Sequence, residues 1–232
     1  MSSSHLPHLA VTNVKSSSLE RKATFTCLLY ADAEIAVAAT KSFAAEVALL
    51  YLLANALRPA GQLVDEIDQV IAVINDIFAR KEELIPIAKE LLVPNGYFLG
   101  HGNGWIGAKE AALKAKEIGY IHIESLSCSE FKHGPIALLE KDFPVVLWAS
   151  NASEVGFLRQ SQEETKSRLG KAITILPRSQ ANPTDNFAFG DAPAPLSVIP
   201  LAVIGDCLAL LIALEKGLAI DKPRNLAKSV TV

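Results

Sequence analysis

Between residues 96 and 176, four short strand-like runs, at 96–99, 121–124, 143–148 and 172–176, the second of them alternating Ile with His and Glu and the others mainly apolar, are separated by stretches whose apolar residues recur every three to four positions. Few folds accommodate that alternation. A short apolar run bounded by turn residues suits a strand buried on both faces, and an intervening helix carries the chain back to the same end of the sheet. The expectation is an α/β chain with an open parallel sheet flanked by helices on both faces. Its helices fall at about 106–118, 134–140, 153–168 and 198–216. In such sheets ligands sit outside the carboxyl ends of the strands, which here means after the first and second runs. With 232 residues, 50% of them hydrophobic, the chain has enough material for one large core or two small ones.

Upstream of this unit, 9–14 and 25–30 read as short strands suited to a parallel sheet, with a turn or short helix in 15–22 between them. An alanine- and leucine-rich stretch running to Leu57 reads as a helix buried on most of its surface. Arg58, Pro59, Ala60 and Gly61 break it. Helical periodicity resumes over 63–79 and 81–92, where Pro86 marks a kink or a later start, so 58–92 is read as a connector. Residues 177–195, rich in Pro, Asn, Ser and Gly, are read as loop without chemistry.

Composition excludes several function classes. A net charge of −3 and 6% aromatic residues provide neither the basic field nor the stacking platforms of a nucleic-acid partner. Cys27, Cys128 and Cys207 are odd in number and far apart, which fits neither a disulfide framework nor a zinc cluster and points to a reducing cytoplasm. No basic segment precedes an apolar core at the start, so no signal peptide is read. The most apolar window, 198–214, contains Pro200, Gly205 and Asp206 and is read as a buried helix, with no membrane anchor. The histidines lack paired-ligand spacing, and no metal or cofactor is implied.

The residues able to do chemistry concentrate in 100–135. Gly100, Gly102 and Gly104 follow an apolar run, a pattern that lets backbone N–H groups approach an anion at a helix start. The spacing matches neither a dinucleotide fingerprint nor a Walker loop. Glu110, Lys114 and Glu117 then lie on one helix face, which spacing alone also allows to be an ordinary solvated face with ion pairs. His133 stands beside the turn formed by Gly134 and Pro135.

Two blocks carry a resemblance. Residues 111–118, followed by Tyr120, Ile121 and His122 and by EFKHGPIAL at 130–138, are similar to the second sugar-isomerase (SIS) domain of the glucosamine-6-phosphate synthase family, also called glutamine–fructose-6-phosphate aminotransferase. The tail DKPRNLAKSVTV at 221–232 resembles that family's terminal signature. The similarity extends over most of the chain from about Leu9 and is confined to the family's isomerase half. It implies Glu117 as the base that moves a proton between adjacent sugar carbons, and His133 as an aid to ring opening at a neighbouring subunit's site. It implies Lys228 as the amine that forms an imine with the open-chain sugar, and Lys114 as a lysine close to the sugar. Glu34 to Phe43 resembles the segment that closes over the sugar phosphate, which makes Val37, Ala39 and Thr40 substrate-binding candidates beside Gly102 and Ala227. The implied layout is the end of a first SIS domain to residue 57, the connector, a second SIS domain over 93–216, and a tail over 217–232 closing the site.

The departures matter equally. The family's serine-rich phosphate loop finds no match, so the sequence is expected to start partway through the first SIS domain; Ser2 stands where a glutaminase nucleophile would be Cys. Three readings stay open. They are a phosphosugar isomerase module interconverting fructose 6-phosphate and glucosamine 6-phosphate, a stand-alone glucosamine-6-phosphate deaminase, and a non-catalytic sugar-phosphate-binding or assembly module. Strands at 9 and 25 with few sheet neighbours imply a homo-oligomer, expected as a dimer.

Overall fold

The computed structural model describes residues 6–57 and 63–228. The helix-breaking residues 58–61 and the last four residues of the tail signature lie outside them. Two parallel sheets are present among the described residues. The first has two strands, β1 (Leu9–Thr12) and β2 (Phe25–Leu28), joined through the short helix α1 (Ser18–Lys22). Ser17 caps α1 by accepting a hydrogen bond from the Glu20 amide.

The second sheet has the order β4-β3-β5-β6-β7 and is parallel throughout. Its strands are β3 (Asn95–Gly100), β4 (His122–Ser127), β5 (Pro144–Trp148), β6 (Lys171–Pro177) and β7 (Phe187–Phe189). The first four overlap the four expected runs, with β4 extending three residues beyond the expected 121–124. β7 is a correction, since 177–195 was read as loop. Three residues are too few to show a periodicity, yet Phe187 and Phe189 are buried and pair with Ile175 and Pro177. The expected helix at 134–140 is also corrected. Only a 3-10 turn (Pro135–Leu138) stands there, preceded by a four-residue helix α6 (Cys128–Phe131), with Gly134 at φ 160° interrupting helical geometry between the two.

Strand side chains alternate between two cores. On one face Phe98, Val146, Trp148 and Ile175 meet α5 (Gly102–Gly119) and α8 (Val198–Glu215). On the other, Leu99, Val145 and Leu147 meet Phe131 of α6 and Leu158 of α7 (Ala152–Lys166). α8 with its preceding turn is long and apolar enough to cross a membrane, but 83% of that window is buried inside the protein. It crosses α5 at two glycines. A Cβ on Gly107 would stand 2.5 Å from Leu201, and one on Gly205 2.6 Å from Ala111, so only the bare backbone admits this approach.

The span expected as a connector is built into the larger core. Val73 and Ile77 of α3 (Leu63–Ala79), Leu84 of the 3-10 turn (Lys81–Leu84), and Ile87 of α4 (Ile85–Glu90) are buried in it. Pro86 lies in the first turn of α4, where a missing N–H costs nothing, and therefore marks a start and not a kink. The long upstream helix, α2 (Lys41–Ala56), has no fully buried residue, contrary to the expectation from its composition. Its contacts to α8, α3 and the turn at 194–196 lie along one side, leaving Leu50 51% exposed.

Candidate active site

The site is assembled from four separate parts of the chain: the loop before α2, the middle of α5, the middle of α8, and the tail. In the loop, the Glu34 carboxylate accepts hydrogen bonds from the Thr40 amide (2.9 Å) and from the Ser42 amide and hydroxyl (3.4 and 2.8 Å). Thr40 is the N-cap residue of α2 but makes no side-chain cap bond, so Glu34 supplies the anion that this helix start favours. The same carboxylate binds Lys228 Nζ at 2.9 Å. Burial pushes the Glu34 carboxyl up, but the Thr40 amide, Lys228 and Ser42 together overcome this and hold it at about 2.

On α5, Lys114 is 2% exposed and its ammonium lies between Glu117 Oε2 at 2.7 Å and Glu110 Oε1 at 3.3 Å. Burial opposes its charge, yet the bond to Glu117 and the field of Glu110 hold its pKa above the ordinary lysine value. The spacing that permitted a solvated charged face thus encloses a buried cation, because α8 covers it. From α8, Asp206 enters the same region with no hydrogen-bond partner among the described residues. Burial, opposed by Lys114 and reinforced by Glu110, Glu34 and Glu117, raises its carboxyl to about 7.

Glu34, Thr40, Lys41, Lys114 and Asp206 share the wall of a cavity of about 610 Å³, completed by apolar side chains such as Ile118 and Phe78. Glu117 lines a second, shallower cavity of about 400 Å³ with Tyr120, His122 and Arg224. The Lys114–Glu117 bond joins the two. Lys228, through Glu34, therefore stands on the same side of the molecule as Lys114 and Glu117. Among the substrate-binding candidates Thr40 lines the larger cavity, while Val37, Ala39 and Ala227 line neither; the Val37 amide instead donates to the Asp221 carbonyl at 3.2 Å.

Two candidates lie elsewhere. His133 is exposed and follows α6, on the sheet face opposite α5, so it does not meet Glu117 within one chain. Gly102 begins α5 at φ 53°, and the amides after it already have an anion. Glu154 accepts from the Asn103, Gly104 and Ser150 amides at 2.9, 3.1 and 2.7 Å, and a Cβ on Gly102 would stand 2.7 Å from its Oε1. The glycine pattern marked a real anion cradle, occupied by the chain's own carboxylate. Sequence reasoning passed over Glu154, Asp206 and the capping role of Glu34. The available signal for Asp206 was a carboxylate inside the most apolar stretch of the chain.

No family model matches the chain. Glutamine–fructose-6-phosphate aminotransferase (isomerizing) of Lactiplantibacillus plantarum is 40% identical over 98% of the chain, and that of Streptococcus pneumoniae 39%. The chain spans 39% of the length of each of these relatives. Among solved structures, the C-terminal domain of glucosamine-fructose-6-phosphate aminotransferase from Francisella tularensis matches with a TM-score of 0.82 and 26% identity, over 92% of this chain and 64% of that one. Glucosamine-6-phosphate deaminase from Thermotoga maritima, at 21% identity and a TM-score of 0.79 over 96% of this chain and 66% of that one, shares the fold. The chain has the sugar-isomerase (SIS) fold and is a homologue of part of glutamine–fructose-6-phosphate aminotransferase.

Proposed function

We propose that the chain is a phosphosugar isomerase module that interconverts fructose 6-phosphate and glucosamine 6-phosphate, with ammonia as nitrogen source. The observation that carries this reading is the pairing of Lys228 with Glu34 on the wall of the cavity that also holds Lys114, the partner of Glu117. In this reading the Lys228 amine condenses with the carbonyl of open-chain fructose 6-phosphate and releases water; ammonia then adds to that imine carbon and the Lys228 amine leaves free, so the nitrogen of ammonia takes its place on the sugar. The Glu117 carboxylate then takes a proton from one carbon and returns it to its neighbour, so no net proton is consumed. Such transfer needs one carboxylate held in place, which the Lys114 bond at 2.7 Å provides. Thr40 would touch the sugar phosphate, with Val37, Ala39 and Ala227 approaching only if the tail and loop close. Gly102 is given no substrate contact, because its cradle holds Glu154.

Residues up to 57 would be the end of a first SIS domain, 58–92 its link to the second at 93–216, and 217–232 the closing tail. Ring opening would fall to His133 of a neighbouring copy, which requires a dimer. Incubating the protein with fructose 6-phosphate and ammonium, and separately with glucosamine 6-phosphate, tests the reading by mass spectrometry of the products. Conversion in either direction that Glu117→Gln reduces by at least a hundredfold is the expected result. Glucosamine 6-phosphate breakdown without the reverse reaction would favour the deaminase. Ligand-dependent stabilisation with no turnover would leave a binding module.

A further inference from the structure

The chain beyond α8 is fastened at a residue of unusual conformation. α5 ends at Gly119, and the next residue, Tyr120, has φ 51° and ψ 43°, a left-handed geometry favoured by glycine and uncommon for an aromatic side chain. A helix that needed only to stop would carry glycine at that position. Tyr120 instead makes two contacts with the tail. Its hydroxyl accepts a hydrogen bond from the Arg224 amide at 2.7 Å, and the Arg224 guanidinium lies over its ring, 4.3 Å from the centroid. Two further ties flank this one. The Asp221 carbonyl accepts from the Val37 amide at 3.2 Å, and Lys228 binds Glu34 at 2.9 Å.

We propose that Tyr120 is a positioning residue, a post that fastens the tail at Arg224 to the end of the helix carrying Lys114 and Glu117 and so fixes the reach of the Lys228 amine. Lys228 lies four residues beyond Arg224 and seven beyond Asp221. Extended chain covers roughly 3.4 Å per residue, so a tie at 224 confines the Lys228 Cα within about 14 Å, whereas a tie at 221 alone allows about 24 Å. The volume open to that Cα grows about fivefold when the post is lost, and the effective concentration of the amine it carries falls by up to the same factor. The conformational cost at Tyr120 is then explained by what its side chain holds.

The test uses three variants of the full chain. Tyr120→Gly suits the left-handed backbone and removes both contacts, Tyr120→Phe keeps the ring and removes the acceptor, and Arg224→Ala lies in the exposed tail, where it leaves the core intact. Hydrogen–deuterium exchange of 218–228 is expected to quicken at least tenfold in Tyr120→Gly, by a smaller factor in Arg224→Ala, which loses the stacked guanidinium but keeps the amide bond to the Tyr120 hydroxyl, and at the Arg224 amide alone in Tyr120→Phe, with exchange in β3 and β5 unchanged. Unchanged tail exchange in Arg224→Ala and Tyr120→Gly overturns the proposal. A second readout rests on the isomerase reading: borohydride reduction in the presence of fructose 6-phosphate should label Lys228, about fivefold less in Tyr120→Gly and with less loss in Tyr120→Phe. Quickened exchange without labelling of the unaltered protein would uphold the post and overturn the imine role.

Discussion

Lys228 and Glu34, 194 positions apart in the chain, meet in an ion pair of 2.9 Å. Glu34 also terminates α2 by accepting from Thr40 and Ser42, so one carboxylate connects a helix start to the tail. Its carboxyl lies at about 2, below the ordinary 4.5, so its stabilising contribution is complete above pH 4.5 and is lost as pH falls from there toward 2. With the Lys228 end 43% exposed, we expect the contribution to be about 2 kcal/mol after allowing for solvent screening. Urea denaturation of the unaltered protein and Glu34→Gln at pH 7 and at pH 3 checks this, since the gap between them should narrow on acidification.

Asp206 predicts the opposite trend. Its carboxyl is raised from 3.8 to about 7, mainly by burial, so the native state holds a proton that the unfolded chain gives up. Stability from this group is full below pH 3.8, declines as pH rises toward 7, and stays low above that. Glu34, Glu110 and Glu117 face it with like charge and Lys114 opposes them, while Ile74, Phe78 and Leu210 line the cavity around it without charge. Asp206→Asn should leave stability unchanged at pH 4 and raise it at pH 8, by an amount on the order of 2 kcal/mol. Equal effects at both pH values in calorimetry would disprove the account.

Lys114 is a cation enclosed with two carboxylates, and removing it leaves those charges without compensation. Lys114→Met is expected to destabilise the protein by about 3 kcal/mol, measured by chemical denaturation. Glu110→Gln, which leaves the shorter bond to Glu117 in place, should destabilise it by less than half as much.

Gly205 holds α8 against α5. Alanine there would gain about 1 kcal/mol in helix propensity. Its Cβ, however, would stand 2.6 Å from Ala111 Cβ and 2.8 Å from Ala111 Cα, neither of which can swing aside. Gly205→Ala should therefore lower the melting temperature, with a net loss of about 2 kcal/mol. Gly156→Ala, at a helix position with open space around it, should raise it.

Among the four longer strands of the main sheet, β3, β5 and β6 were legible because each is built around a short apolar stretch, and β4 because Ile121 and Ile123 alternate with polar residues. β7 was not legible, since Phe-Ala-Phe within a Pro- and Asn-rich stretch has no local feature that separates it from loop. Burial of α2 was overestimated for a related reason. Composition reports how much apolar surface a helix carries, and its neighbours decide how much of that is covered.

Local pattern alone thus determined the parallel α/β architecture, the helix face shared by Glu110, Lys114 and Glu117, and the anion cradle at Gly102, because each depends on residues within a few positions of one another. The occupant of that cradle, the enclosure of Lys114, the arrival of Asp206 beside it and the union of Lys228 with Glu34 were decided only in the folded chain. Each depends on α7, α8 or the tail being brought against α5 and the loop before α2, and contacts at such sequence separations leave no periodicity to read.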